Sequence, residues 1–182
     1  MNADTYLKHH TTKQIWKHYG WPRHQFRFKF CSDKLKGKTF IDVGCLFGHS
    51  TDILSKLCLG IWSGIDFTEV AIIRARKLFP NIVFYYSQNF NLLPICGMYD
   101  SVVCSEVLEH VSNDKALVDG VMQITKQIAV FSTPCKKVND PGHLRVYTKE
   151  SLQELFSAYD YVIEKQAVFF FITVRNKYAR IE

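Results

Sequence analysis

TFIDVGCLFGHST, residues 39–51, is the stretch on which the reading of the fold turns. Thr39, Phe40, Ile41 and Val43 carry β character or apolar bulk, Gly44 and Gly48 give the backbone freedom, and helical spacing follows. The sequence predicts a buried strand, a tight turn and a helix. Such a junction leaves backbone N–H groups facing an open crevice, the usual place for a nucleotide-like ligand. The turn carries an acid, Asp42, where a phosphate-binding loop would avoid one. A carboxylate there suits a ligand that brings a cation and no phosphate.

Outward from this stretch, Ile53, Leu54, Leu57 and Cys58 recur at helical spacing, which predicts a helix over 48–59 that Gly60 ends. IWSGID, 61–66, reads as the second strand. Its last residue, Asp66, follows Gly48 at close to the ~20-residue spacing at which a nucleotide-binding fold sets a carboxylate to accept from ribose hydroxyls. Phe67 then stands where it can cover one face of an adenine. Asp66 also precedes Thr68 and Glu69, which can cap a helix over 68–79, so a purely local capping role is the competing account. NIVFYY, 81–86, makes a third strand and Tyr99 to Cys104 a fourth. A crossover helix is expected over 113–125, a fifth strand over 127–134, and a helix capped by Thr148 over KESLQELFSAY. The β-branched and aromatic end, YVIEKQAVFFFITVRNK, supplies two final strands with a break near Lys165 to Ala167.

After the fourth strand come Glu106, Glu109 and His110, which share one turn if that segment is helical. His143, in PGHLRVYT, is a downstream partner. Two carboxylates and two imidazoles suit a divalent ion such as Mg²⁺, Mn²⁺ or Zn²⁺, which lowers the pKa of a bound hydroxyl. The metal-free alternative has Glu106 and His110 lining an acceptor pocket, with His110 or His143 as general base. Lys136, Lys137 and Arg145 can meet a phosphate or simply form a solvated loop.

Residues 38–174 resemble the small Rossmann-like methyltransferases that use S-adenosylmethionine. Asp42, Gly44 and Gly48 match the first motif of that family, with Leu46 in place of its middle glycine. The resemblance implies cofactor contacts from Asp42, Gly44, Gly48, Asp66, Phe67 and Ser105. It adds Asn89, which aligns ahead of Leu93-Pro94 where the family commonly places an aspartate on the adenine amino group. The Glu-x-x-Glu-His arrangement with a later histidine is similar to the metal site of small-RNA 3′-terminal 2′-O-methyltransferases and to ubiquinone-biosynthesis O-methyltransferases. That likeness implies Glu106, His110 and His143 as catalytic residues and Glu106, Glu109, His110 and His143 as metal ligands. The implied fold is α/β, a Rossmann-like seven-stranded, mostly parallel sheet with helices on both faces and an antiparallel last strand. The implied reaction is methyl transfer to a hydroxyl of a small molecule, a glycan or an RNA end.

Composition sets the outer limits. With 182 residues, 47% of them apolar, the chain can bury a full core. No stretch reaches the ~18 uninterrupted apolar residues of a membrane span, and the first residues lack the apolar region of a secretory signal. Six cysteines without a CxxC pair suit reduced thiols in a cytoplasmic protein. The net charge of +6 is concentrated ahead of the first strand, where Lys8, Lys13, Lys17, Arg23, Arg27, Lys29 and Lys34 interleave with Trp16, Tyr19, Trp21, Phe26, Phe28 and Phe30. This gives a basic aromatic arm over 1–37, serving either as an amphipathic cover or as a grip on phosphates and bases, and a methyltransferase domain over 38–182. Two further classes compete with an enzyme of this kind. A methyltransferase-fold binding subunit without turnover keeps the same architecture, and an NAD-dependent oxidoreductase expects G-x-G-x-x-G where this chain has Asp42 and Leu46. The acceptor and the oligomeric state are not readable from the residues.

Overall fold

The structure is a computed structural model that describes residues 19–176. In chain order the elements are α1 (Pro22–Lys34), β1 (Thr39–Val43), α2 (His49–Leu57), β2 (Ile61–Asp66), α3 (Glu69–Leu78), β3 (Val83–Tyr86), α4 (Leu93–Cys96) and β4 (Tyr99–Ser105). A 3₁₀ turn (Leu108–His110), α5 (Asp114–Ile124), β5 (Thr125–Pro134), α6 (Lys149–Leu155), β6 (Asp160–Gln166) and β7 (Phe169–Arg175) complete it. The seven strands form one sheet in the order β3-β2-β1-β4-β5-β7-β6. All neighbours are parallel except β7, which runs antiparallel to both β5 and β6.

β1 is central because both faces of the sheet are covered there. Phe40 packs with Phe28, Leu54, Trp62, Val103, Val130 and Phe171 under α1 and α2. Ile41, one residue on, turns to the other face and joins Val102, Cys104, Ala129 and Phe131 under α5 and α6. A strand buried on both sides reads as a continuous apolar run, which is why β1 was visible in sequence. The chain winds from β1 through β2 to β3, then returns to place β4 on the other side of β1. Asp42 is therefore registered against Gly64 of β2 and Val103 of β4. A crevice opens where the winding reverses, at the carboxyl ends of β1 and β4.

Several boundaries differ from expectation for local reasons. The helix after Thr148 stops at Leu155, although its cap is a full box in which Thr148 and Ser151 bond each other's backbone N–H. α4 is an extra turn between β3 and β4, with Pro94 in its first positions. The segment before β1 yields α1, opened by Pro22, with Phe28 and Cys31 buried against the sheet and Phe30 stacked on Phe171 at 4.0 Å. The part of the basic arm before Tyr19 lies outside the described residues. No helix among the described residues is long and apolar enough to cross a membrane. The six cysteines are free thiols, with Cys31, Cys45 and Cys104 buried.

Candidate active site

The turn after β1 is built by hydrogen bonds to its neighbour strand. The N–H groups of Gly44 and Cys45 both donate to the Ile65 carbonyl, at 2.8 and 3.1 Å. Gly44 holds φ 81°, and a Cβ there would lie 2.3 Å from Val107 Cγ2. Leu46 also sits at positive φ, 47°, in the place where a third glycine would relieve the strain. Its N–H donates to Asp66 Oδ2 at 2.8 Å, and Thr68 N–H donates to Asp66 Oδ1 at 2.8 Å. Both oxygens of Asp66 thus already hold a backbone amide. Burial nevertheless raises its pKa to about 6, against the opposing effect of those amides.

Asp42 is buried at the cleft floor. Its Oδ2 accepts from Ser50 Oγ at 2.6 Å and Thr51 Oγ1 at 2.8 Å, both from the first turn of α2. Burial pushes its pKa up in spite of these donors. Phe67 meets Phe90 edge to face at 5.0 Å. Asn89 is exposed, and its side-chain oxygen accepts from Asn91 N–H in a local turn. Ser105 shares a 2.7 Å hydrogen bond with Ser132.

A cleft of about 660 Å³ runs from this turn across the end of β4. Asp42, Gly44, Leu46, Ser50, Ser105, Glu106, Glu109, His110 and His143 all line it, with Arg27, Lys136 and Lys137 on the far wall. Gly48, Asp66, Phe67 and Asn89 are not among the residues that line this cleft; Asp66 and Phe67 lie at the end of β2 and Asn89 in the loop after β3.

The second group of acids and imidazoles is only partly as the sequence led one to expect. Glu106 does not share a helical turn with Glu109 and His110, because it adopts φ 60° directly after β4 and the 3₁₀ turn begins two residues later. Its side chain swings to Arg27, 3.4 Å from Nη1, and accepts from Ser132 Oγ at 3.2 Å. Glu109, His110 and His143 do converge, with one ligand atom from each all within 4.8 Å of one another. The two imidazoles stand edge to face, 4.6 Å apart. His143 comes from the long loop after β5, which is fastened over the 3₁₀ turn. Leu144 N–H donates to the Glu109 carbonyl at 2.8 Å, His110 Nδ1 lies 3.1 Å from the Gly142 carbonyl, and Tyr147 donates to Asp114 at 2.7 Å. Arg145 completes the fastening on the Val111 and Ser112 carbonyls and the Asp114 carboxylate, so it is tied down as a clamp.

Glu109 is 1% exposed. Oε2 accepts from Thr133 Oγ1 at 3.2 Å, while Oε1 is buried with no hydrogen-bond partner. Burial, reinforced by the charge of Glu106, drives its pKa well above the ordinary carboxyl range. Burial also lowers the pKa of His143, against the pull of Asp140. An orphaned buried carboxylate oxygen beside two imidazoles fits a divalent cation in donor type and number.

The sequence profile described as "Methyltransferase domain" matches residues 41–132, just over half of the chain. The chain belongs to the methyltransferase domain family. Its fold is of the class I, Rossmann-like kind. A protein of Mycolicibacterium smegmatis described as a probable S-adenosylmethionine-dependent methyltransferase is 23% identical over 159 residues, covering 81% of this chain. The chain spans 61% of the length of that relative. Magnesium protoporphyrin IX methyltransferase of Synechocystis, solved with S-adenosylhomocysteine, superposes with a TM-score of 0.64 at 15% identity, covering 85% of this chain and 84% of the other. The small RNA methyltransferase HEN1 superposes with a TM-score of 0.66 at 18% identity, covering 85% of this chain and 25% of the HEN1 chain. The residues present fit the cofactor: a positive-φ glycine turn closes on a buried acid, and the cleft beside it has room for a cationic nucleoside tail.

One cleft residue escaped the sequence reading. Arg27 shares the inward face of α1 with His24, Phe28 and Cys31, at the i, i+3, i+4, i+7 spacing of a core stripe. A charge on that stripe was the available signal, masked by the many exposed lysines and arginines around it.

Proposed function

We propose that the protein transfers a methyl group from S-adenosylmethionine to an acceptor hydroxyl, with Glu109, His110 and His143 holding the hydroxyl and taking its proton. The observation that carries this reading is the convergence of those three side chains in the same cleft as Asp42 and the Gly44 turn. Bound S-adenosylmethionine supplies a methyl group on an electron-poor sulfur. Asp42, Gly44 and Ser105 would hold its amino-acid end, and Asp66, Gly48, Phe67 and Asn89 its nucleoside.

The rest of the work belongs to the chain. The cleft aligns the acceptor oxygen with the methyl group. In the metal-free form His143, whose pKa is lowered by burial, is neutral at pH 7 and able to accept the proton. His110 is oriented by the Gly142 carbonyl, which favours hydrogen on Nδ1 and a lone pair on Nε2. A divalent cation held by Glu109, His110 and His143 would supply Lewis acidity toward the hydroxyl, and the orphaned Glu109 Oε1 favours this metal-assisted form. Glu106 would serve from the side, as the partner of Arg27. Hydroxyls of a small molecule, a glycan or an RNA end all remain chemically suited.

Incubating the protein with methyl-labelled S-adenosylmethionine and separate pools of polar metabolites, glycans and short RNAs tests the proposal. Label in a hydroxyl-methylated product, absent with His143→Ala, is the expected result. A binding subunit without turnover is the competing reading. Tight binding of S-adenosylhomocysteine with no transfer to any pool would decide for it.

A further inference from the structure

We propose that the wall of the cleft between α1 and the loop after β5 is an oxyanion subsite for the acceptor, anchored on Arg27. The hydroxyl to be methylated is then carried on a molecule that also bears a phosphate or a carboxylate. This inference rests on the methyl-transfer reading above and adds the charge of the acceptor to it.

The anchor is an under-satisfied buried cation. The Arg27 side chain is 4% exposed, yet its only acidic contact among the described residues is Glu106 Oε2 at 3.4 Å. Arg27 Nε is buried with no hydrogen-bond partner. Phe28, Phe169 and Tyr19 surround the guanidinium at 5.0, 5.4 and 6.0 Å, contacts that soften its desolvation and take up none of its N–H groups. A guanidinium offers five donors in a planar fork, and leaving them unmade away from water is costly. Glu106 is itself shared with Ser132. A second oxyanion arriving in the cleft would complete the fork.

The surroundings have the matching sign. Arg23 from α1 and Lys136 and Lys137 from the loop after β5 line the same cleft, and none has a carboxylate partner among the described residues. The acids of the cleft are committed elsewhere. Asp42 holds Ser50 and Thr51, Asp140 accepts from Gly142 N–H at 2.7 Å, and Glu109 faces the histidine pair. Lys136 and Lys137 bring two cationic heads to the cleft that holds the buried arginine, while Arg23 is held on His24 and over the Trp21 ring. Phosphate and carboxylate present the same pair of oxygens to such a fork.

The test follows the Arg27 Nε–H resonance in the full ¹⁵N-labelled chain, assigned by its loss in Arg27→Lys. Inorganic pyrophosphate, citrate and, as a neutral control, glycerol are titrated with and without S-adenosylhomocysteine. A saturable shift with S-adenosylhomocysteine present is expected, the stronger of the two anions naming the oxyanion. Binding should be roughly tenfold weaker in a Lys136→Gln, Lys137→Gln double variant, and glycerol should do nothing. No saturable shift, or an equal one in the double variant, overturns the subsite. So does displacement of the anion by S-adenosylhomocysteine but not by methylthioadenosine, which would give Arg27 to the cofactor's own carboxylate. Failure of S-adenosylhomocysteine to bind at all would sink the methyl-transfer reading instead, and the anion titration of the free protein would still report on Arg27.

Discussion

Asp66 is the residue whose chemistry is most sharply set by its surroundings. Its carboxyl sits at the end of β2 with an amide on each oxygen, and burial raises its pKa to about 6. An unfolded aspartate titrates near 3.9, so the folded chain binds the extra proton between about pH 4 and 6. Stability from this group is therefore present at the acid end and is lost as the pH rises through that window. Cofactor binding should run the other way, because ribose hydroxyls donate best to the ionised form. Calorimetry with S-adenosylhomocysteine is expected to show affinity rising from pH 5 to 7, with Asp66→Asn about tenfold weaker at pH 7 and flat across the range. Glu109 makes a second prediction at this scale. If its orphaned oxygen holds a cation, chelator should abolish methyl transfer, Mn²⁺ or Mg²⁺ should restore it, and Glu109→Gln should stay inactive under both conditions. Transfer undiminished by chelator would leave the histidines acting alone.

At the scale of elements, the turn between β1 and α2 is the constrained piece. Gly44→Ala should cost about 1–3 kcal/mol, since positive φ and the Val107 contact both oppose a Cβ. Adding Val107→Ala removes the clash and leaves the backbone strain, so the double variant should melt differently from the sum of the singles. The elements also mark what the residues disclosed in advance. β2 and the paired β6 and β7 were legible because β-branched and aromatic runs end at clear breaks, at Asp66 and at Ala167-Val168. The crevice was legible too, from an acid and two glycines after an apolar strand. Glu106 was not, because nothing in EVLEH announces a left-handed residue ahead of a 3₁₀ turn. Nor was the Leu46 amide on Asp66, a contact between two loops that only the parallel pairing of β1 and β2 brings together. Arg27 was hidden for a different reason: identity of charge with its neighbours concealed a difference in burial.

For the whole molecule, the sheet has two unlike margins. β3 is the edge on one side, and Val83, with Ile61 and Leu59 near the start of β2, stands 54%, 69% and 87% exposed. Open edges with apolar side chains invite self-association. Light scattering should show less concentration-dependent association for Val83→Lys, with thermal stability changed by no more than about 0.5 kcal/mol as for an ordinary surface substitution. An unchanged scattering profile would mean that this margin is not where copies meet. The other margin is β6, joined to the sheet by β7 lying between it and β5. In order of synthesis that slot is filled last, since β6 touches the sheet only through β7. A nascent chain that has released everything up to Gln166 already carries every acid, imidazole and glycine of the cleft, yet its sixth strand hangs unmoored and its fifth is bare along one flank. Until Phe169–Arg175 clears the ribosome the polypeptide has the polar groups of the cleft without Phe169 in its lining and without the strand that joins β6 to β5.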